Sequence, residues 1–210
     1  MSTVEVIDAH RLTDERGWDL LGVRLFWTDD HSNFAGVYVD GPMRGRVCFI
    51  EVGAVNLAPE FRCVYDFATN LTWAIDNRHD WRHIRRVYHA NNDAKLPSGM
   101  SEIDTINGAP WLPDLVAVEQ LRGLLHRCDD GALRTQYKYC LMALVPADEA
   151  HTLLEFTMDE DALVQAFSCR VIAERRYTGA VNRLLELTES SIQAVRQAAL
   201  QALSVIERPD

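Results

Sequence analysis

Three short stretches near the N-terminus carry dense apolar residues: Val23 to Trp27, Phe34 to Val39 and Arg46 to Val52. They are rich in β-branched and aromatic side chains, which suit a pleated, half-buried surface. The second and third flank DGPMRG, where Pro42 presets φ for a turn, so the spacing predicts a β-hairpin. Phe34, Val37, Tyr38 and Val39 make both faces of that hairpin apolar, which predicts cover on each side or a central place in a sheet. After Pro59 the period lengthens. Phe61, Val64, Phe67, Ala68, Leu71 and Ile75 recur at three- and four-residue steps, the stripe of a helix laid on a sheet. The expected fold class is α+β, with an N-terminal, mainly antiparallel sheet and packed helices.

Between Asn91 and Pro113 the pattern lapses into NNDAKLPSGMSEIDTINGAPWLP, rich in turn and breaker residues. A boundary is placed there: residues 1–90 as the α+β domain, 91–113 as a loop or linker, 114–210 as a helical part. That last part shows no strand signal and repeats itself. LLHRCDDGALRTQYKYCLMAL from Leu124, LLEFTMDEDALVQAFSCRVIA from Leu153 and LLELTESSIQAVRQAALQALS from Leu184 align at offsets of 29 and 31 residues. Each copy reads as the end of one helix, a polar turn and a second helix. The second helices place apolar residues at matched positions: Leu133, Tyr137, Leu141; Leu163, Phe167, Val171; Val195, Ala199, Leu203. Helix pairs at such a period predict an α-solenoid of about three pairs, each burying its stripe against its neighbours.

SIQAVRQAALQALSVI, with Val195, Arg196, Ala198, Ala199, Ala202 and Leu203, resembles HEAT-like repeats, a likeness covering about residues 117–206. The resemblance implies a protein-interaction surface and no chemistry.

The chain has 210 residues, 48% hydrophobic and 25% charged, the proportions of an ordinary globular protein. At this length folding removes roughly 70% of the unfolded surface from water, so a core needs no staples. With 21 basic and 31 acidic side chains the net charge is −10. Such a field repels phosphate backbones and anionic lipid and steers basic partners inward. Five cysteines, at 48, 63, 128, 140 and 169, spell no metal ribbon or redox pair, and most are expected to be buried, reduced thiols. The first 17 residues lack the pattern of a secretory signal, and no apolar run approaches the roughly 20 residues of a membrane span. A cytoplasmic location is expected.

The loop signatures of common enzymes are missing. No two of the 11 glycines stand two residues apart, which excludes GxGxxG, and GxxxxGK[ST] and GxSxG are also absent. The sharpest enzymatic suspicion is HDWRH at 79–83: on a helix His79 and His83 would share a face, and Glu102 follows as an acidic third ligand. Asp80 is one methylene shorter than the glutamate that acts as base in the HExxH motif, and Arg78, Arg82, Arg85 and Arg86 would crowd a dication. The other reading is an amphipathic helix that packs Trp81, Ile84, Val87 and Tyr88. The same stretch is the one basic patch with interleaved aromatics, and the overall negative charge argues against nucleic acid. No metal and no cofactor are expected.

Two polar clusters stand out. From Asp148 to Asp161 run six acids, Asp148, Glu149, Glu155, Asp159, Glu160 and Asp161, without a Lys or Arg. Asp148 is placed to start a helix and Asp159 or Asp161 to cap the next. The functional reading is an anionic edge for a basic protein partner. Asp29, Asp30, His31, Ser32 and Asn33 precede a strand, where Ser and Asn turn the chain by bonding their own backbone. A partner contact through Asp29, Asp30 and His31 is the functional alternative, with catalysis by His31 and Asp30, or by His79 and Asp80, as a third reading.

Asp29-Asp30-His31-Ser32-Asn33, then Gly36, Tyr38, Gly41-Pro42, Gly45-Arg46-Val47, Leu57, Pro59, Phe61 and Arg62 resemble the strand and hairpin core of bacterial SUKH-superfamily proteins, over about residues 23–75. Many of those are immunity proteins that neutralise polymorphic toxins. The resemblance implies an α+β domain that binds without catalysis. The resulting expectation is an immunity protein that binds and occludes a protein toxin effector. A non-catalytic scaffold using its repeats is the alternative, and a metal-dependent hydrolase stands third.

Overall fold

A computed structural model describes residues 21–28, 33–50, 56–77 and 112–207. Asp29, Asp30 and His31, the 79–83 motif and Glu102 lie outside the described residues, as does the 91–113 segment up to residue 111.

Four strands, β1 (Val23–Thr28), β2 (Phe34–Tyr38), β3 (Val47–Ile50) and β4 (Pro59–Phe61), pair in sequence order, antiparallel throughout. The hairpin predicted around Pro42 joins β2 to β3, in register from Phe34↔Ile50 to Val37↔Val47. Its loop closes with Gly45 N donating to Tyr38 O at 2.8 Å and Tyr38 N donating to Arg46 O at 3.0 Å. Gly41 and Gly45, at φ of 65° and 85°, supply the left-handed backbone that a side chain would resist. Gly36 in β2 is required for another reason: a Cβ there would run into Val23 Cγ1 of β1. A bulge between Leu25 and Trp27 lets Phe26 and Trp27 share one face of the sheet.

Both faces of the sheet are covered. On one, Ala35, Val47, Phe49 and Phe61 pack against Phe67 and Ala74 of α1 (Val64–Asp76). Phe67 sits at the centre, its ring edge-on to Phe26 and Phe61, each at 5.3 Å between centroids. On the other face Val23, Leu25, Tyr38, Cys48 and Ile50 join a core that continues through the helices after residue 112. The strand β4 replaces what periodicity makes the start of a helix at Phe61. Its three residues end the strand order, where the missing N–H of Pro59 is tolerated.

The helices come in three pairs. α2 (Leu112–Arg127) is followed by α3 (Gly131–Leu144); a 3₁₀ helix, η1 (Ala147–Met158), by α4 (Ala162–Glu174); α5 (Val181–Leu187) by α6 (Gln193–Ile206). Members of a pair pack together, and α4 lies between α3 and α6. The 3₁₀ form of η1 has its own signature: Ala150, Leu153 and Phe156 are buried at three-residue steps, the period of that helix.

The second helix of each pair starts from Asp130, Asp161 and Ile192, two equal steps of 31 residues. Asp130 accepts from Leu133 N at 2.9 Å and Asp161 from Leu163 N at 2.8 Å, closing orphan donors of the first turn. This register corrects the matched positions of the middle copy. Leu163 is 64% exposed, whereas Val164, Ser168 and Ile172 are buried and stand in line with Val195, Ala199 and Leu203. The leading leucines of the last two copies stand 31 residues apart, the same step as the helix starts, so Val164 and not Leu163 answers to Val195; the turn of the first copy is two residues shorter.

Sheet and helices are fastened by polar contacts as well as by the shared core. Tyr38 Oη lies 3.7 Å from Cys140 Sγ of α3, and Leu57 N donates to Gln136 Oε1 at 3.1 Å. Arg46, at the end of the hairpin, reaches Asp114 in the first turn of α2.

Candidate partner-binding surface

The six acids of the 148–161 run have different environments. Asp148 and Glu149 open η1, where negative charge suits the positive end of the peptide dipoles. Glu149 Oε2 also accepts from Arg122 Nη2 of α2 at 2.7 Å, with both side chains more than a third exposed. Asp159 is held from several sides: Lys138 Nζ lies 2.6 Å from Oδ2, Asp161 N donates to Oδ1 at 3.0 Å, and Gln165 Nε2 donates to its carbonyl. Asp161 is the cap of α4. Asp159 and Asp161 thus build the turn, Glu149 is shared with α2, and Asp148, Glu155 and Glu160 face solvent.

Local sequence hides the countercharges. Lys138 and Arg122 neutralise part of the run, yet both lie outside it, on the first helix pair. Burial, followed by the charges of Asp161 and Asp159, pushes the neighbouring Tyr139 hydroxyl up to about 12, so this phenol stays protonated under ordinary conditions.

The exposed apolar side chains were missed as well. Met158 is 67% and Leu163 64% exposed, on either side of Glu160. The turn beneath them is firmly built. Besides the Asp159 and Asp161 contacts, Arg183 of α5 donates through Nη2 to Thr157 O at 2.9 Å and through Nε to Thr157 Oγ1 at 3.0 Å.

A second charged constellation is buried. Asp114 Oδ1 accepts from Arg46 Nη2 at 2.7 Å and Nε at 3.2 Å, and Arg62 Nε stands 3.7 Å from Oδ2. Arg46 also donates to Pro113 O and Pro42 O. Arg175 donates to Ala143 O at 3.0 Å, and burial lowers its pKa to about 10 against the opposing charges of Glu174 and Asp114. With the side chains of Arg46 and Asp114 at 5% and 3% exposure, this is a clasp between hairpin and helix.

The three buried thiols, Cys48, Cys140 and Cys169, all have pKa values raised by burial, Cys140 to about 12 and Cys169 to about 11, which disfavours the nucleophilic thiolate. Among the described residues no group of three or more His, Cys, Asp or Glu could hold a metal ion, and no helix is long and apolar enough to cross a membrane.

The described residues after 112 form three packed helix pairs, with a structured, partly apolar, acidic turn between η1 and α4. Residues 150–210 match a family model of HEAT repeats. The HEAT match takes in most of η1 and all of α4, α5 and α6, and with them the turn bearing Met158 and Leu163. The SUKH likeness of residues 23–75 finds no matching family model. No match is found among curated proteins or among solved structures.

Proposed function

We propose that this protein is a non-catalytic binding protein whose HEAT repeats form a short solenoid and hold a protein partner with a basic surface. The observation that carries this reading is the HEAT-repeat match over residues 150–210, since such repeats generally serve as protein-interaction elements. The net charge of −10 favours a cationic partner and speeds its approach. On the SUKH likeness of the hairpin, the partner is a toxin effector, and the protein confers immunity in the cytoplasm by covering the effector's active cleft. Asp148, Glu155 and Glu160 supply the solvent-facing charge of the acidic run. Asp29, Asp30 and His31 belong to the same proposal on their sequence alone.

A growth-rescue experiment tests this reading. Toxin-like genes adjacent to this one are expressed with and without the chain; restored growth together with a complex of fixed stoichiometry on gel filtration is expected. Neither rescue nor complex would overturn the toxin reading. A stable complex with a non-toxic protein would favour the scaffold alternative, which rests on the HEAT match alone.

A further inference from the structure

The two equal steps between the three copies allow each position to be compared with its two counterparts. Where the middle copy has Met158, the first has Arg127 and the third Glu189; where it has Leu163, the others have Ala132 and Ala194. The repeat scaffold therefore needs no large apolar side chain at either position. Both are held out into water on a turn fixed by Asp159, Asp161, Lys138, Gln165 and Arg183. Exposed apolar groups on a rigid support lose little freedom when they are covered, which is the condition for an efficient binding point. Methionine in addition adapts its shape to what it meets.

Charge specifies the occupant. Glu160 stands between the apolar pair in the chain and Glu155 shortly before it, and both face solvent, while neighbouring cations are engaged within the chain: Lys138 by Asp159, and Arg183 by Thr157 and Glu186. A second copy of this chain, with its charge of −10, is repelled from such a site. We propose that Met158 and Leu163 are the anchor of the protein interface, and that the partner meets them with apolar side chains flanked by Lys or Arg. This rests on the protein-binding reading above and narrows it to one turn.

The probe is a random 12-residue peptide library displayed on phage and panned against the full chain, with the selected peptides then synthesised. Selected sequences are expected to combine apolar residues with Lys or Arg. Their affinity should fall about tenfold or more in the Met158→Ser/Leu163→Ser double variant, the loss that uncovering two apolar contacts entails. Glu155→Lys/Glu160→Lys should weaken binding independently, and Gln197→Lys/Gln201→Lys on α6 should leave it unchanged. All these positions are exposed, and far-UV circular dichroism verifies the fold of each variant. Failure to select any peptide, selection of acidic peptides, or equal binding by the Met158→Ser/Leu163→Ser variant would overturn the proposal. So would self-association of the chain that this variant abolishes. Growth rescue that survives the variant would remove the docking site and leave the immunity reading standing. Peptide selection at the turn without any rescue would do the reverse.

Discussion

Asp114 occupies a position where one side chain joins distant parts of the chain. Its carboxylate is 3% exposed and receives two hydrogen bonds from Arg46, whose own side chain is 5% exposed. Removing one member of such a pair leaves the other charge buried without its counter-ion, a larger loss than the pair itself contributes. Asp114→Ala should therefore destabilise the fold by about 3–5 kcal/mol in urea unfolding, far beyond the effect of an exposed pair. A second residue-level expectation follows from the corrected register. Val164→Asp places an unpaired carboxylate at a fully buried position and should cost about 3 kcal/mol or more, whereas Leu163→Asp, on the exposed side of the same turn, should stay within about 0.5 kcal/mol.

At the scale of elements, caps and periods explain both what sequence reveals and what it conceals. Asp161→Ala removes the acceptor for Leu163 N and should lower stability by about 1 kcal/mol, read from the shift of a denaturant midpoint. The strands from Val23 and Phe34 and the existence of α1 were legible because alternation and helical spacing are local properties of the chain, but the buried side of α1 was not: Val64 and Ile75 of the expected stripe are 41% and 63% exposed, while Phe67, Asn70 and Ala74 are buried. β4 was not, since three residues beginning with proline carry too little pattern to stand apart from the helix that follows. Nor was the 3₁₀ form of η1: LLEFT aligns with LLELT of an α-helix, and the three-residue row of Ala150, Leu153 and Phe156 became meaningful only with burial known. The acidic run was legible as charge, but its pairing with Lys138 and Arg122 was not, because those partners come from another helix pair. Leu163 was hidden because it was matched one residue out and so assigned to the core, whereas Met158 belonged to no matched position.

Among the described residues one face of the sheet shares a core with the helices after residue 112, and the probes needed to test its cooperativity are separated along the chain. All five tryptophans, at 18, 27, 73, 81 and 111, precede α2, while six of the seven α and extended 3₁₀ segments among the described residues follow residue 111. Tryptophan fluorescence thus reports on the first half and far-UV circular dichroism mostly on the second. Their thermal transitions should coincide; separated midpoints would show two independent units. The junction also sets an alkaline limit. Burial raises the pKa of Cys48 and Tyr38, and that of Cys140 to about 12, from ordinary values of 9.0 for the thiols and 10.0 for the phenol. The unfolded chain releases these protons first, so stability is fully present below pH 9 and declines as pH rises through 9 to 12. Arg175, lowered to about 10, acts in the opposite sense above that pH as a single group against several. Denaturant midpoints should hold between pH 8 and about 9 and fall from there to pH 11, and Cys140→Ala should flatten that fall.

The equal distance from one helix start to the next gives this protein a natural unit of growth. An excision of residues 162–192 would bring Gln193 directly behind Asp161, with the capping carboxylate in its usual place, whereas a cut a few residues longer or shorter would rotate every following apolar stripe out of the interior. Evolution by duplication or loss is thereby confined to whole steps, and a shortened relative would differ from this chain by a complete pair of helices.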